Sequence, residues 1–377
     1  MVADLRWTVD VGVGEGGGME PPVDPGAFQP RSAALAKDDP VVQWLLQGDP
    51  AIRWRVLRDL VDATETEVAS ERSRVEHEGW GARLLALRAP DGLWANGACF
   101  PDTAAFAADT ARALAAGEPP PPWPAPDVEP EPGQPWTATY WVLRDLCQLG
   151  VLPDSPVMQE TAQLVDRNCR WEYDGRPFFA GEVDCCINAG TVVIGAYLGV
   201  DVDPVVRRLL ADQMPDGGWN CWAETHPAPS SFASTLDVID ALLGWERRVG
   251  GADEVRQARR NGAEYLLERH LFRSLRTGEV VNPEWGSFSH PPRWRYDLLK
   301  ATEHFARSGG TPDPRLAEAV ERVRDKRRPD GRWLLENTHP GAVHFRFEDP
   351  DGSPSRWNTL RALRVLRWYD GSPSSMR

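Results

Sequence analysis

The 377-residue chain predicts an all-α fold of the (α/α)6 type, a closed ring of inner and outer helices forming a toroid. Three observations predict it: helical periodicity runs from Asp39 almost to the end, two classes of helix alternate along it, and one turn recurs between them. The turn is most complete at Gln213 to Trp222, QMPDGGWNCW. A helix ends at Met214, Pro215 forbids its continuation, Asp-Gly makes the turn, and Trp219 returns a large ring over the helix end. Shorter copies stand at Asp91-Gly92-Leu93-Trp94 and Asp330-Gly331-Arg332-Trp333, with a looser relative at Glu284-Trp285-Gly286.

In chain order, residues 1–38 read as a flexible arm. Gly12, Gly14 and Gly17 have the G-x-G-x-x-G spacing of a dinucleotide loop, but Met19 to Pro30 supplies prolines where that fingerprint needs a helix. Residues 39–377 read as a single domain. The inner helices open with Pro or a small polar residue, then an aromatic, then leucines: from Pro50, Gln134, Ser230, Pro292 and Pro354, with a more apolar member from Asp184. Between them lie charged helices with one apolar stripe, over Pro40 to Gln47, Thr66 to Arg88, Ser155 to Asn168, Pro204 to Gln213, Ala252 to Phe272 and Pro314 to Arg327. A proline-rich acidic insertion at about 117–135 reads as an exposed spacer loop. Glu279 to Val281 and Val343 to Phe347 read as short extended pieces.

A net charge of −14 argues against nucleic acid and anionic membranes as partners, since both are bound through clustered cations. No apolar run reaches the length of a membrane span. Six cysteines without a C-x-x-C pair fit a reducing, cytoplasmic setting rather than a disulfide framework.

Alternating helices with Q-x-x-x-G-x-W at the turn resemble the terpenoid cyclase and protein prenyltransferase superfamily, the squalene-cyclase-like α/α toroids. Gln213, Gly217 and Trp219 match their QW repeat, while Arg88 and Arg327 replace the Gln in two partial copies. The resemblance implies an apolar, isoprenoid-like ligand in a central cavity and an enzyme that transfers or cyclises it. The chain lacks the D-x-D-D acid of the cyclases. It has the D-x-C spacing of the zinc-dependent transferases at Asp184-Cys185-Cys186, without their later His on the next inner helix. The alternative is a toroid that binds or scaffolds without the family chemistry.

Loops entering a ring of parallel helices share one rim, so distant thiols and imidazoles can converge there. Cys186, Cys221 and His290 are the expected zinc ligands on that basis, with Asp184 as a fourth ligand or its support. Without metal, a carboxylate inside an apolar cavity would have a raised pKa and serve as general acid. Asp184, Asp240 and Asp297 are therefore the catalytic candidates, with Asp237 beside them; the alternative is that such a carboxylate pairs structurally with a nearby arginine, for which Arg293, Arg295 and Arg356 are available. Arg53, Arg293 and Arg356 would hold a diphosphate if they face inward. The alternative for His290, as for His226 and His339, is that a histidine followed by Pro simply closes a turn.

Overall fold

In the computed structural model, Phe28 and residues 32–99, 136–172, 175–221 and 228–371 are described. The insertion at 117–135, His226 and nearly all of the predicted arm lie outside them. Helix starts follow the capping residues. Asp39, Asp49, Thr64, Ser155, Ser231, Asp297 and Ser355 each accept a backbone N–H from the first turn of the helix that follows, and Thr64 with Glu67 completes a capping box. These and the uncapped starts give α1 (Pro40–Leu46), α2 (Pro50–Asp59), α3 (Glu65–Ser73), α4 (Gly79–Ala86), α5 (Thr139–Leu149) and α6 (Pro156–Asn168). The chain continues through α7 (Cys185–Leu198), α8 (Asp203–Ala211), α9 (Phe232–Val249), α10 (Asp253–Glu268), α11 (Leu298–Ser308), α12 (Ala317–Asp325) and α13 (Arg356–Asp370). A two-residue antiparallel pair, β1 (Trp333–Leu334) with β2 (Pro354–Ser355), leads into α13.

Three boundaries differ from the sequence reading. The helix expected over Thr66 to Arg88 is split into α3 and α4 by a tight turn at Arg74–Glu76 and a left-handed Gly79. The helix expected from Pro292 begins only at Leu298, because Pro291, Pro292 and a left-handed Arg293 cannot carry a helical ladder. Val343 to Phe347 forms no strand; it crosses the surface as a loop.

The recurring turn is built the same way each time. Gly92, Gly217 and Gly331 all have positive φ, at 79°, 90° and 80°. The indole N–H of Trp94, Trp219 and Trp333 donates to the carbonyl ten residues back, on Leu84, Leu209 and Val323, at 2.9, 2.7 and 2.7 Å. Their backbone N–H groups donate to Thr139, Thr235 and Thr359 at 3.3, 3.0 and 3.0 Å. Each tryptophan thus ties the end of one charged helix to the apolar helix that follows. Gln213 Nε2 donates to the Gly217 carbonyl at 2.8 Å, and Arg88 Nε makes the equivalent bond to Gly92 at 2.7 Å, so a guanidinium substitutes for the amide there.

The apolar helices α2, α5, α7, α9, α11 and α13 pack on one another in sequence. Arg55 of α2 donates to the Leu149 carbonyl at the end of α5 at 2.9 Å. α7 packs on α5 and, most extensively, on α9; a Cβ at Gly190 would meet the Tyr140 hydroxyl at 1.8 Å, so only glycine permits the α5–α7 approach. Lys300–Asp237 and Arg307–Asp240 join α11 to α9, and Arg361 and Arg364 of α13 reach Glu303 of α11. α13 then returns to α2 through Arg364–Asp59 at 2.5 Å. The end of the predicted arm is fixed here: Arg367 donates to the Ser32 and Ala33 carbonyls, and Phe28 is buried. No described helix is long and apolar enough to cross a membrane.

Candidate functional site

Side chains from all six of these helices line one cavity of about 200 Å³. Its cations are Arg55 from α2, Arg144 from α5, Lys300 and Arg307 from α11, Arg361 and Arg364 from α13, and Arg293 from the preceding loop. Only Asp145, Asp240 and Glu303 oppose them on the wall, with Asp59 and Asp237 behind it. The lining thus mixes these charges with apolar groups such as Trp141, Val193, Leu236 and Trp357, and is more charged than the pocket implied by the isoprenoid resemblance. The sequence signal was present but passed over: arginines recur inside apolar helices, as in RWRVLRDL, TYWVLRDL and LRALRVLRW.

Most of these cations are committed. Arg293 Nη1 donates to both Asp145 oxygens at 2.8 and 3.0 Å, Lys300 to Asp237 at 2.6 Å, and Arg361 and Arg364 share Glu303. Arg144 differs. It donates to the Tyr140 hydroxyl at 3.3 Å and lies near the faces of Tyr140 and Trp141, but pairs with no described carboxylate. Around the same cavity the buried Nη2 of Arg361, Nε of Arg364 and indole nitrogens of Trp141 and Trp357 have no hydrogen-bond partner among the described residues. Buried N–H donors of this kind are rare unless an acceptor is available to them.

Of the catalytic candidates, Asp240 is held far below the usual carboxylate range. Burial opposes this, but Arg307, at 2.9 Å to both oxygens, and His304, with Nδ1 at 2.9 Å, outweigh it. It is an ion-pair residue, and its expected raised pKa is corrected. His304 also meets Ser308 through Nε2 at 3.3 Å, giving a Ser-His-Asp sequence of contacts. Ser308 ends α11, however, where the backbone presents carbonyls and no oxyanion-stabilising N–H groups. Asp297 is buried and its pKa raised by that burial, against the pull of Arg361 and backbone N–H groups. Its carboxylate caps α11 through Lys300 N–H at 2.7 Å and accepts from Ser289 N–H at 3.3 Å. Asp184 stands at the start of α7, where its N–H donates to Glu182 at 2.7 Å.

The structure brings Cys186 and Cys221 together, with sulfurs 2.9 Å apart, and adds Cys185 at 3.6 Å from Cys221. His290 is not with them. It stacks on Trp357 of α13, ring centroids 4.6 Å apart, and neither ring nitrogen has a hydrogen-bond partner among the described residues. The expected set fails to assemble because α7 packs between α5 and α9, while α13 packs between α11 and α2. Sharing a rim does not place residues on the same side of it. Among the described residues no group of three or more His, Cys, Asp or Glu side chains could hold a metal ion. Arg293 does line the cavity, but Arg53 pairs with Glu71 at 2.5 Å and Arg356 packs on Trp44, away from it.

No family model matches the chain, and no curated protein matches it. Among solved structures, a crystal structure of a protein from Actinoplanes is similar at 15% identity and a TM-score of 0.38, covering 92% of this chain and 93% of that one.

A second cavity, of about 520 Å³, shares Asp145, Pro291 and Arg293 with the first. Its wall carries His290, His339 and His344, all with lowered pKa, principally through burial. His339, only 8% exposed, is brought to about 4 by burial and then by Arg295, Lys300 and Arg293. Unfolded histidine takes its proton below pH of about 6.5, whereas folded His339 takes it only near pH 4. Its contribution is therefore fully absent as a penalty above pH 6.5, and stability is lost as pH falls from there towards 4. Going from pH 7 to 5 is expected to cost about 2 kcal/mol through His339 alone. Urea unfolding at the two pH values checks this: His339→Gln should lose about that much less than the parent chain.

Proposed function

We propose that the helices close into an (α/α)6-type toroid and that the cavity along its axis binds a small, multiply charged anion such as a diphosphate or a phosphorylated metabolite. The closing contact of α13 on α2 and the lining by all six inner helices support the toroid. The observation that carries the ligand class is Arg144: a cation facing the cavity without a carboxylate partner, among buried N–H donors that also lack one. A phosphoryl group offers several acceptors and negative charge together, which suits a guanidinium and indole N–H groups at once.

Titration calorimetry with inorganic diphosphate tests the reading. Binding should weaken with added salt, and Arg144→Ala should weaken it by about tenfold or more, the loss of one charge-assisted hydrogen bond. That variant leaves Asp145 with Arg293 and Asp237 with Lys300, and circular dichroism of it checks that the fold is retained. Absence of binding by the parent chain at millimolar diphosphate overturns the proposal.

A second reading retains the isoprenoid. Trp136, Leu335, Val343, Phe345 and Phe347 line the second cavity, an apolar surface that would take a short hydrocarbon tail while the diphosphate sits among the arginines. Geranyl diphosphate binding more tightly than inorganic diphosphate favours this prenyltransferase-like or cyclase-like reading. Equal affinity favours the free anion and a binding toroid without isoprenoid chemistry.

A further inference from the structure

Cys185 and Cys186 form the first turn of α7, and Cys221 follows Trp219 in the turn before α9. The Cys186 and Cys221 sulfurs are 2.9 Å apart, well inside an ordinary packing contact of about 3.5–4.0 Å. Cys185 Sγ lies 3.6 Å and Ser234 Oγ 3.4 Å from Cys221 Sγ. Two thiols and a hydroxyl thus converge on the sulfur of a third cysteine. Cys185 is buried, whereas Cys186 and Cys221 are only partly buried.

We propose that Cys186 and Cys221 are a thiol–disulfide exchange pair whose substrate is a small-molecule disulfide, with Cys221 as the attacking sulfur. Only one negative charge is favourable among three touching sulfurs. It is placed on Cys221, the sulfur that the others meet, 2.9 Å from Cys186, 3.6 Å from Cys185 and 3.4 Å from the Ser234 hydroxyl; its pKa is lowered by these neighbours while the thiols of Cys185 and Cys186 are pushed up. The Cys221 thiolate attacks one sulfur of RSSR, forming Cys221–S–SR and releasing RS⁻. The Cys186 sulfur then attacks Cys221 Sγ, gives up its proton and expels the second RS⁻. One disulfide is reduced to two RSH, and two protein thiols become one protein disulfide. Closure to a bond of about 2.0 Å needs the sulfurs to approach by roughly 1 Å, within reach of side-chain rotation at the partly buried Cys221. Cys185 is farther away and enclosed, so it is not the partner.

The experiment uses the full chain, washed with chelator, exposed to oxidised glutathione at pH 7, then blocked with N-ethylmaleimide and mapped by peptide mass spectrometry. The expected result is a Cys186–Cys221 crosslink with the other four cysteines alkylated. In Cys186→Ser, a glutathione adduct should accumulate on Cys221 without a crosslink. In Cys221→Ser, thiol loss should slow by about tenfold or more, because the remaining thiols are mostly protonated at that pH. All six thiols still alkylated in the parent chain, a Cys185–Cys221 crosslink, or an unchanged rate in Cys221→Ser would each overturn the proposal. The outcome is independent of diphosphate binding, which is measured on Arg144.

Discussion

Replacing Trp219 with alanine is expected to lower the unfolding free energy by about 3–5 kcal/mol, the range for deleting a fully buried large aromatic. Its side chain has 0% exposure, so the substitution opens a cavity where the end of α8, Gly262 of α10 and the start of α9 meet. It also leaves the Leu209 carbonyl without its 2.7 Å indole donor. Urea denaturation followed by circular dichroism measures the change. Trp219→Phe separates the terms: it keeps most of the apolar contact and should recover more than half of the loss. A loss below about 1 kcal/mol for alanine would mean the repeated turn is ornamental, with the helices held in place by the inner packing alone.

Arg364→Met is expected to cost about 3 kcal/mol. The guanidinium pairs with Asp59 at 2.5 Å and Glu303 at 3.0 Å, and Asp59 has 0% side-chain exposure. Methionine fills similar volume but leaves two carboxylates in low dielectric with fewer partners, typically a loss of 3–5 kcal/mol. The lower end applies because Arg58 still holds Asp59 at 2.5 Å and Arg361 still holds Glu303 at 2.7 Å. Adding Asp59→Asn to Arg364→Met should restore part of the loss in a double-mutant cycle, since the isolated charge is then gone. Full additivity of the two substitutions would show that the pair contributes no interaction across the α2–α13 contact.

The repeated turn was legible because its determinants are local. Gly217 needs left-handed backbone, Pro215 ends a helix, and the Trp219 indole reaches a carbonyl ten residues away. The alternation of apolar and charged helices was legible for the same reason, since periodicity reports which face of a helix is buried. The split at Gly79 and the late start of α11 were also written locally, in glycine and paired prolines, but the surrounding helical periodicity masked them.

The candidate site was less legible. Cys186 and Cys221 are 35 residues apart and meet, whereas His290, which also precedes an inner helix, stacks on the far α13. Asp240 was readable as a carboxylate in an inner helix, but whether it is an acid or an ion-pair partner depends on Arg307 and His304, 67 and 64 residues further on. The same holds for the arginines. Arg144 follows an aromatic pair in an apolar helix just as Arg58 follows Trp54, yet Arg58 pairs with Asp59 and Arg144 with no described carboxylate.

The sequence by itself determined the helical class, the alternation of buried and solvated helices, and the turn that joins them, because capping, periodicity and backbone conformation act over a few residues. Only the tertiary structure decided that charged groups join the apolar ones lining the cavity, that three sulfurs meet, and that His290 stands apart from them. Those outcomes rest on which helices are neighbours and which way each face turns, and Coulomb and hydrogen-bond energies respond to distance in space, not along the chain.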